Sequence, residues 1–566
     1  MAQKINRNYW KILVWLLVIG LLVYTRFFNL GWGLPYPMHP DERNMAAAIQ
    51  QLKCELPVFS LNLPKSLMEN WQPASWLVLV KPFDLANCFN PNFFAYGQLP
   101  LYLAYIFVWV IRGFHDFGAM NVSFNDAVLS LRFIAALSSV LSAVIIIKIV
   151  DALTVGKKSI WLFATSSLTI VFLPFAIQFS HFGTTESLLM FFYLLIIYLT
   201  VRFLEKKIDE LTFVLVSALF IGAALATKVS SLIFVLVPMV GLSFEKRSRF
   251  PFLYSLLVRL FDVFILCLLS GLVFVVFSPH NLINWQDFVG SMNYESSVAL
   301  GSVLVFYTRQ FVGSVPVLFQ LTKIFPYALG WLLGLFGILG LLVVGWKDKR
   351  INILRVAFLI YFLPNSFLFA KWTRFMAPIF PIVTIFALIL VVSSLDYLKK
   401  KPFLFYPASF ILALFLIIPG ISYLSIYQKP DVRFQATDWI NKNIPPNSVV
   451  LSETANVVDI PLVNANNLDV ISFNFYDLDV SLQLQQELKD DLAKADYIFV
   501  PSRRIFANSP KEQYPLLNKY YQDLFSGKLG FQKVAEFSSG LDDEQAEETW
   551  TVFDHPVIRI YKKVKS

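Results

Sequence analysis

The chain of 566 residues is 57% hydrophobic and 15% charged, far from the roughly 45–50% apolar and 25% charged of a soluble domain, which excludes an ordinary soluble protein. Its formal charge of +9 is unevenly spread: residues 428–566 carry 15 Lys+Arg against 20 Asp+Glu, leaving −5 there and +14 in the remainder. Basic residues that flank apolar spans are topology signals, so the charge argues against nucleic acid as a partner.

Taken in chain order, the first element is the apolar stretch 11–28 behind Lys4, Arg7 and Lys11. No small-residue cleavage site follows it, so it reads as an uncleaved span. Further crossings are predicted at 129–150, 159–177, 187–204, 211–227, 229–243, 255–277, 327–346, 351–369, 376–395 and 403–424. The expected fold is therefore a polytopic α-helical membrane protein of about eleven crossings, each spanning a hydrocarbon core of about 30 Å.

The stretch 98–113 is short and bounded by Pro100 and Gly113. If it does not cross, the clusters Lys148/Lys157/Lys158, Arg202/Lys206/Lys207, Lys246/Arg247/Arg249, Lys347/Lys349/Arg350 and Lys399/Lys400/Lys401 all share one side with the N-terminus. The positive-inside rule requires that arrangement, so 98–113 is expected to be re-entrant or interfacial, with the N-terminus cytoplasmic. Residues 1–427 then form a membrane domain with outer loops at about 29–128 and 278–326, and residues 428–566 an extracytoplasmic domain. Loops of this length in a compact protein are usually functional or disordered, and these are rich in aromatics and prolines.

Cys54 and Cys88 share the first loop, whereas Cys267 lies within a span. On an oxidising face a disulfide between the first two is expected, the alternative being two free buried thiols. Gly330, Gly334 and Gly337 recur at helical spacing and are expected to allow close helix packing. The C-terminal part alternates strand-like runs (448–451, 497–500, 557–561) with helix-like ones (433–442, 482–493), which predicts a small α/β domain. Its acidic run, Asp542-Asp543-Glu544 and Glu547-Glu548, is expected to be a solvated loop.

The first loop opens with Pro37-Met38-His39-Pro40-Asp41-Glu42-Arg43. Adjacent carboxylates beside a histidine at a membrane face suit acid–base chemistry, and the competing reading makes Asp41 the N-cap of the helix that follows. Glu186 falls at the mouth of the span beginning at 187, where it could equally cap that helix. Arg132, Lys228, Lys371 and Arg374 lie at the outer ends of spans, where positive charge is otherwise sparse. They either snorkel to headgroups or hold a lipid phosphate, which arginine can engage bidentately. His39, Glu42, His280 and Asn281 together could bind a divalent cation, though no zinc-type ligand spacing is present.

At His39-Pro40-Asp41-Glu42 the chain resembles the C-type membrane glycosyltransferases, and within that superfamily the protein O-mannosyltransferase and lipid A aminoarabinose transferase group. Further matches are Pro91-Asn92-Phe93-Phe94-Ala95-Tyr96-Gly97, Arg132, Ser180-His181-Phe182-Gly183-Thr184-Thr185-Glu186, Ala226-Thr227-Lys228 and Arg374-Phe375-Met376-Ala377-Pro378. The resemblance covers roughly residues 9–400. It implies an inverting glycosyltransferase that moves a sugar from a polyprenyl-phosphate-linked donor to a glycan, lipid or protein acceptor outside an integral plasma membrane. On that reading Asp41 and Glu186 are catalytic, although the group usually carries Asp where this chain has Glu186. His39, Glu42, Tyr96, Arg132, Lys228, Lys371 and Arg374 bind substrate, and no cofactor is required. The rival reading from another class is a polytopic transporter or lipid flippase, which internal repeats would support; none is visible by eye.

Overall fold

The computed structural model describes residues 2–54, 58–61, 77–81, 86–115, 117–154, 156, 159–245, 252–453, 459–462 and 467–564. Lys157, Lys158, Lys246, Arg247 and Arg249 of the basic clusters lie outside the described residues, as do the side chains of Lys4, Arg7 and Lys11. The membrane part runs through helices α1 (Ala2–Phe27), α2 (Pro40–Gln51), α3 (Leu99–Ile111), α4 (Phe124–Leu153), α5 (Ile160–Val171), α6 (Pro174–His181), α7 (Glu186–Leu204), α8 (Glu210–Leu225) and α9 (Leu236–Phe244). It continues through α10 (Phe252–Phe277), α11 (His280–Ile283), α12 (Trp285–Leu300), α13 (Phe325–Ala328), α14 (Trp331–Val343), α15 (Lys349–Ser366), α16 (Thr373–Met376), α17 (Phe380–Leu398) and α18 (Pro402–Gln428).

The stretches expected to cross are largely helical, but 159–177 and 327–346 are each broken by a bend and 229–243 opens as a 3-10 helix, so fewer than the expected eleven are continuous spans. By length and hydropathy five helices qualify singly as spans among the described residues, and seven if each of two bent pairs counts as one. The bends have local causes. Pro174 opens α6 and cannot continue the hydrogen-bond ladder of α5, so the two meet at 42°. Gly330, with φ of +83°, turns the chain through 117° before α14. The glycine stripe divides its work: Gly330 makes the turn, while Gly337, with Gly340, presses α14 against Val383 and Phe386 of α17.

Two ends of the helix bundle are chemically distinct. At one, Arg350 bonds Glu205 (2.9 Å) and the carbonyl of Ala152 (3.2 Å), Lys206 pairs with Glu245 (3.3 Å), and Arg259 pairs with Glu210 (2.8 Å). The basic clusters that the structure describes there thus converge on the ends of α4 and α7 and the starts of α8 and α15. At the opposite end lie the starts of α4 and α7 and the end of α8. Helix α3 begins against Ala226 and Thr227, just past α8, and Arg112, the residue after α3, bonds Asp126 in the first turn of α4. Its 13 residues therefore start and finish at the same end of the bundle, and their rise of about 20 Å falls short of a bilayer core. Cys54 and Cys88 are joined in a disulfide.

Strands β1 (Val58–Leu61) and β2 (Leu77–Lys81) form an antiparallel pair in the first loop. The C-terminal domain is a five-stranded mixed sheet of β3 (Val449–Glu453), β4 (Asp469–Phe473), β5 (Tyr497–Val500), β6 (Phe531–Phe537) and β7 (Ile558–Lys563), in the order β4-β3-β5-β7-β6. Helices α19 (Val432–Asn443), α20 (Leu482–Lys494), α21 (Pro515–Phe525) and α22 (Glu548–Thr551) accompany it. The central strands β3, β5 and β7 are the three strand-like runs of the sequence. The two edge strands, β4 and β6, are mostly solvent-facing and mix polar residues with their apolar ones.

One expectation is corrected. The acidic run is solvated only in part: Asp542 is exposed and Glu544 half-buried, but Glu547 and Glu548 are 1% and 0% exposed and Asp543 is buried. This segment wedges between the sheet and the helix bundle. Such carboxylates are buried only when satisfied, and each finds partners: Glu548 pairs with Arg504 (3.0 Å) and Asp543 with His555 (2.8 Å).

Candidate active site

Helix α2 begins at the His39–Pro40 step. Pro40 occupies its first position, where the fixed φ of proline suits a helix start, and His39 is the N-cap in extended conformation without a side-chain capping bond. Asp41 is thus not the cap, and its carboxylate is free to reach across the site. Consecutive helical residues point about 100° apart, so Asp41 and Glu42 diverge to different partners.

Glu42 turns into the protein. Its carboxylate takes a bidentate grip from Arg132 (Nε 2.7 Å, Nη2 2.8 Å) and accepts from the Gly183 N–H at 2.6 Å. Arg132 donates its remaining nitrogen to the carbonyls of Leu30 and Trp32, both at 2.7 Å. The two side chains are 0% and 3% exposed, so the pair ties α2, α4 and the 180–185 turn together and does not open to the site.

Asp41 turns the other way, to an ion pair with Arg374 of α16, the carboxylate 15% and the guanidinium 19% exposed. Burial would raise the Asp41 carboxyl, but the Arg374 guanidinium, His39, the Tyr96 hydroxyl and Lys228 outweigh it and hold it at about 2. Arg374 Nη1 also lies 3.5 Å from the Tyr96 hydroxyl, and its guanidinium rests 4.8 Å above the Trp372 ring. Lys228 stands 3.7 Å from Glu186, the first residue of α7, and 5.1 Å over the Tyr96 ring. Two acids and two cations therefore alternate around Tyr96, whose own hydroxyl is pushed well above its ordinary range by burial and by Asp41.

The backbone explains this convergence. The Gly97 N–H donates to Thr227 at 3.0 Å and the Leu99 N–H to Ala226 at 3.0 Å, which lays the 94–98 segment on the end of α8 beside Lys228. Gln98 locks the other side through Ser278 and Asn281.

The remaining candidates are held mainly by other contacts. Lys371 is buried and donates to its neighbouring carbonyl, Phe369, at 3.1 Å. His39 packs between the rings of Phe182 (4.9 Å) and Phe553 (4.5 Å), and burial lowers its imidazole. His280 bonds the Cys88 carbonyl at 2.9 Å and Asn284 at 3.1 Å, bracing the disulfide loop. With Glu42 also committed, the four residues considered for a cation do not meet, and no cluster of three or more His, Cys, Asp or Glu suited to a metal occurs among the described residues.

Two acidic residues that sequence reasoning passed over belong to this neighbourhood. Glu295 of α12 feels the charges of Arg374, Asp41 and Lys228, and partial burial raises its carboxyl. Glu547 of the C-terminal domain accepts from the backbone and hydroxyl of Thr373, next to Arg374. Glu295 lies in the second long loop, where an acidic residue was a findable signal. Glu547 was hidden in a run whose composition reads as solvated.

No protein-family model matches the sequence, and no curated protein sequence matches it. Solved structures do resemble its fold. The apo oligosaccharyltransferase of Archaeoglobus fulgidus shares 12% identity over 91% of this chain and 73% of that one, with a TM-score of 0.48, and the same enzyme is also known in complex with Zn and sulfate. ArnT from Cupriavidus metallidurans bound to undecaprenyl phosphate shares 12% identity over 98% of both chains, with a TM-score of 0.46. The arabinofuranosyltransferase AftD from Mycobacteria shares 12% over 99% of this chain and 42% of that one, at 0.37. At these identities and scores the likeness is one of chain course alone.

Proposed function

We propose that the protein is an inverting glycosyltransferase that moves a sugar from a polyprenyl-phosphate-linked donor to an acceptor hydroxyl at the extracytoplasmic face of the membrane. The observation that carries this reading is the Asp41–Arg374 pair, part-open to solvent, with Lys228, Glu186 and Tyr96 packed around it. A cation able to hold a phosphate and a carboxylate able to take a proton stand together at one end of the spans. The basic clusters at the opposite end support a cytoplasmic N-terminus and an outward-facing site.

In the ligand-free state Arg374 neutralises Asp41. A donor phosphate competes for the guanidinium, helped by Lys228, and frees the carboxylate as it binds. The acceptor oxygen then attacks the anomeric carbon opposite the phosphate while its proton passes to Asp41. The bond from that carbon to the phosphate oxygen breaks, its electron pair leaving with the polyprenyl phosphate, where Arg374 stabilises the growing charge. Glu186 holds Lys228 in place, and Glu42 with Arg132 fixes α2, so these act by positioning. Undecaprenyl phosphate, the ligand of the ArnT complex, is chemically the lipid carrier that such a donor leaves behind.

The test is Asp41→Asn in purified protein. The amide keeps the size of the side chain and an oxygen for Arg374 but cannot take the proton. Transfer should fall by about 10²–10⁴ while polyprenyl phosphate still binds, and near-normal transfer would sink the general-base assignment.

A further inference from the structure

We propose that Glu547 is a positioning residue for Arg374, which makes the outer domain a working part of the donor site; this rests on the phosphate-binding role given to Arg374 above. Glu547 is 1% exposed. Its Oε2 accepts from the Thr373 N–H at 2.9 Å, the Thr373 hydroxyl at 2.8 Å and the Thr549 hydroxyl at 2.5 Å. Its Oε1 accepts from the Thr549 N–H at 3.1 Å and the Gln310 amide at 3.0 Å, and its own N–H donates to the Lys323 carbonyl at 2.9 Å. One residue therefore joins the outer domain, the second outer loop and the first residue of α16: its carboxylate reaches Gln310 and Thr373, and its backbone N–H reaches Lys323. A buried carboxylate is tolerable only with its lone pairs filled, and these five bonds fill them.

The consequence lies one residue further on. The Arg374 guanidinium has Asp41, Tyr96 and the Trp372 and Phe375 rings around it, and its Nε has no hydrogen-bond partner among the described residues. When a phosphate takes the place of Asp41, the side chain loses its strongest tether while the backbone at Thr373 stays fixed by Glu547. Phosphate recognition by a planar guanidinium needs placement within about 0.5 Å, and the Thr373 clasp supplies that reference point. Glu547 touches neither donor nor acceptor and acts through the segment that carries Arg374.

The experiment measures the binding of a polyprenyl phosphate without sugar to the full chain in detergent, using Glu547→Ala and Arg374→Ala singly and combined. Glu547→Ala should weaken binding about tenfold alone but less than about twofold in the Arg374→Ala background, because its effect passes through that arginine. Glu547→Gln keeps an acceptor for Thr373 and should recover part of the loss. Equal factors in both backgrounds, or no loss at all, would overturn the proposal and leave Glu547 a docking contact. If Arg374→Ala itself binds normally, the reading of Arg374 falls and this inference falls with it. Should Glu547→Ala fail to fold, Thr373→Val removes only the hydroxyl half of the clasp; it should weaken binding about threefold with the same dependence on Arg374, and equal loss in both backgrounds would overturn the proposal.

Discussion

Asp41 exchanges environments during the proposed cycle, and pH should reveal it. In the free protein burial pushes its carboxyl up, but Arg374 and its neighbours prevail and hold it at about 2, below the ordinary 3.8. A depressed carboxyl keeps its charge, and the stability its pairing gives, until pH falls through the folded value. The profile of kcat/KM reports the free enzyme, so it should show no limb from Asp41 near 4. The profile of kcat reports the donor-bound state, in which Arg374 has turned to the phosphate; its acidic limb should therefore lie at higher pH. Steady-state rates across the acid range check this, and coincident limbs would mean that Asp41 keeps its partner throughout. The neighbouring Glu42 shows how little adjacency means: one residue on, a similar carboxylate is spent on architecture, where losing either partner of a buried pair costs roughly 3–5 kcal/mol.

At the scale of elements, the site is made where the 94–98 segment lies against the end of α8. Gly97 has no room for a side chain, since a Cβ there would overlap the Ala226 carbonyl and come within 2.9 Å of the Thr227 nitrogen. Gly97→Ala should push Tyr96 away from Lys228 and Arg374, lowering stability by about 1–3 kcal/mol through overpacking and reducing transfer with it. Gly20→Ala, whose Cβ would meet nothing within 4 Å, is the matched control. Thermal unfolding and transfer assays on both variants check the expectation, and an innocuous Gly97→Ala would mean that the close approach is not needed. The two short motifs that meet here, Pro91–Gly97 and Ala226–Lys228, were legible as stretches. Their contact was not, because 129 residues separate Gly97 from Ala226 and nothing local encodes the pairing.

Across the whole molecule, the C-terminal domain is held to the bundle by a buried polar network. His555 bonds Asp543 at 2.8 Å and Asp554 at 2.5 Å, and Asp554 accepts from Tyr423 at 2.7 Å and Tyr427 at 2.8 Å, both near the end of α18. Burial would lower the imidazole, yet the two aspartates hold its proton and raise it to about 10. The sign follows: a raised histidine contributes stability that is complete below about 6.5 and is lost as pH rises through about 10. Unfolding temperatures in detergent should be level below 6.5 and decline toward 10, and His555→Gln should be less stable at low pH without that decline. An unchanged slope in the variant would assign the alkaline loss to another group.

The sequence by itself determined the class of the protein, the helical stretches that could cross, the central strands of the C-terminal domain and the stretches that carry the candidate site. These follow from local rules: apolar runs of bilayer length, alternation in strands, prolines and glycines at bends. It also put Cys54 and Cys88 in one loop. Only the tertiary structure decided which charges meet. Asp41 reaches Arg374 across 333 positions and Glu42 reaches Arg132 across 90, and the choice between them turns on a 100° step of a helix whose docking no local signal specifies. The acidic run shows the same limit from the other side: composition alone makes it a solvated loop, and its burial depends on Thr373, Gln310, Arg504 and Asn508 being brought to it from elsewhere in the chain. A charge can be buried only where partners await it, and partners are a property of the fold.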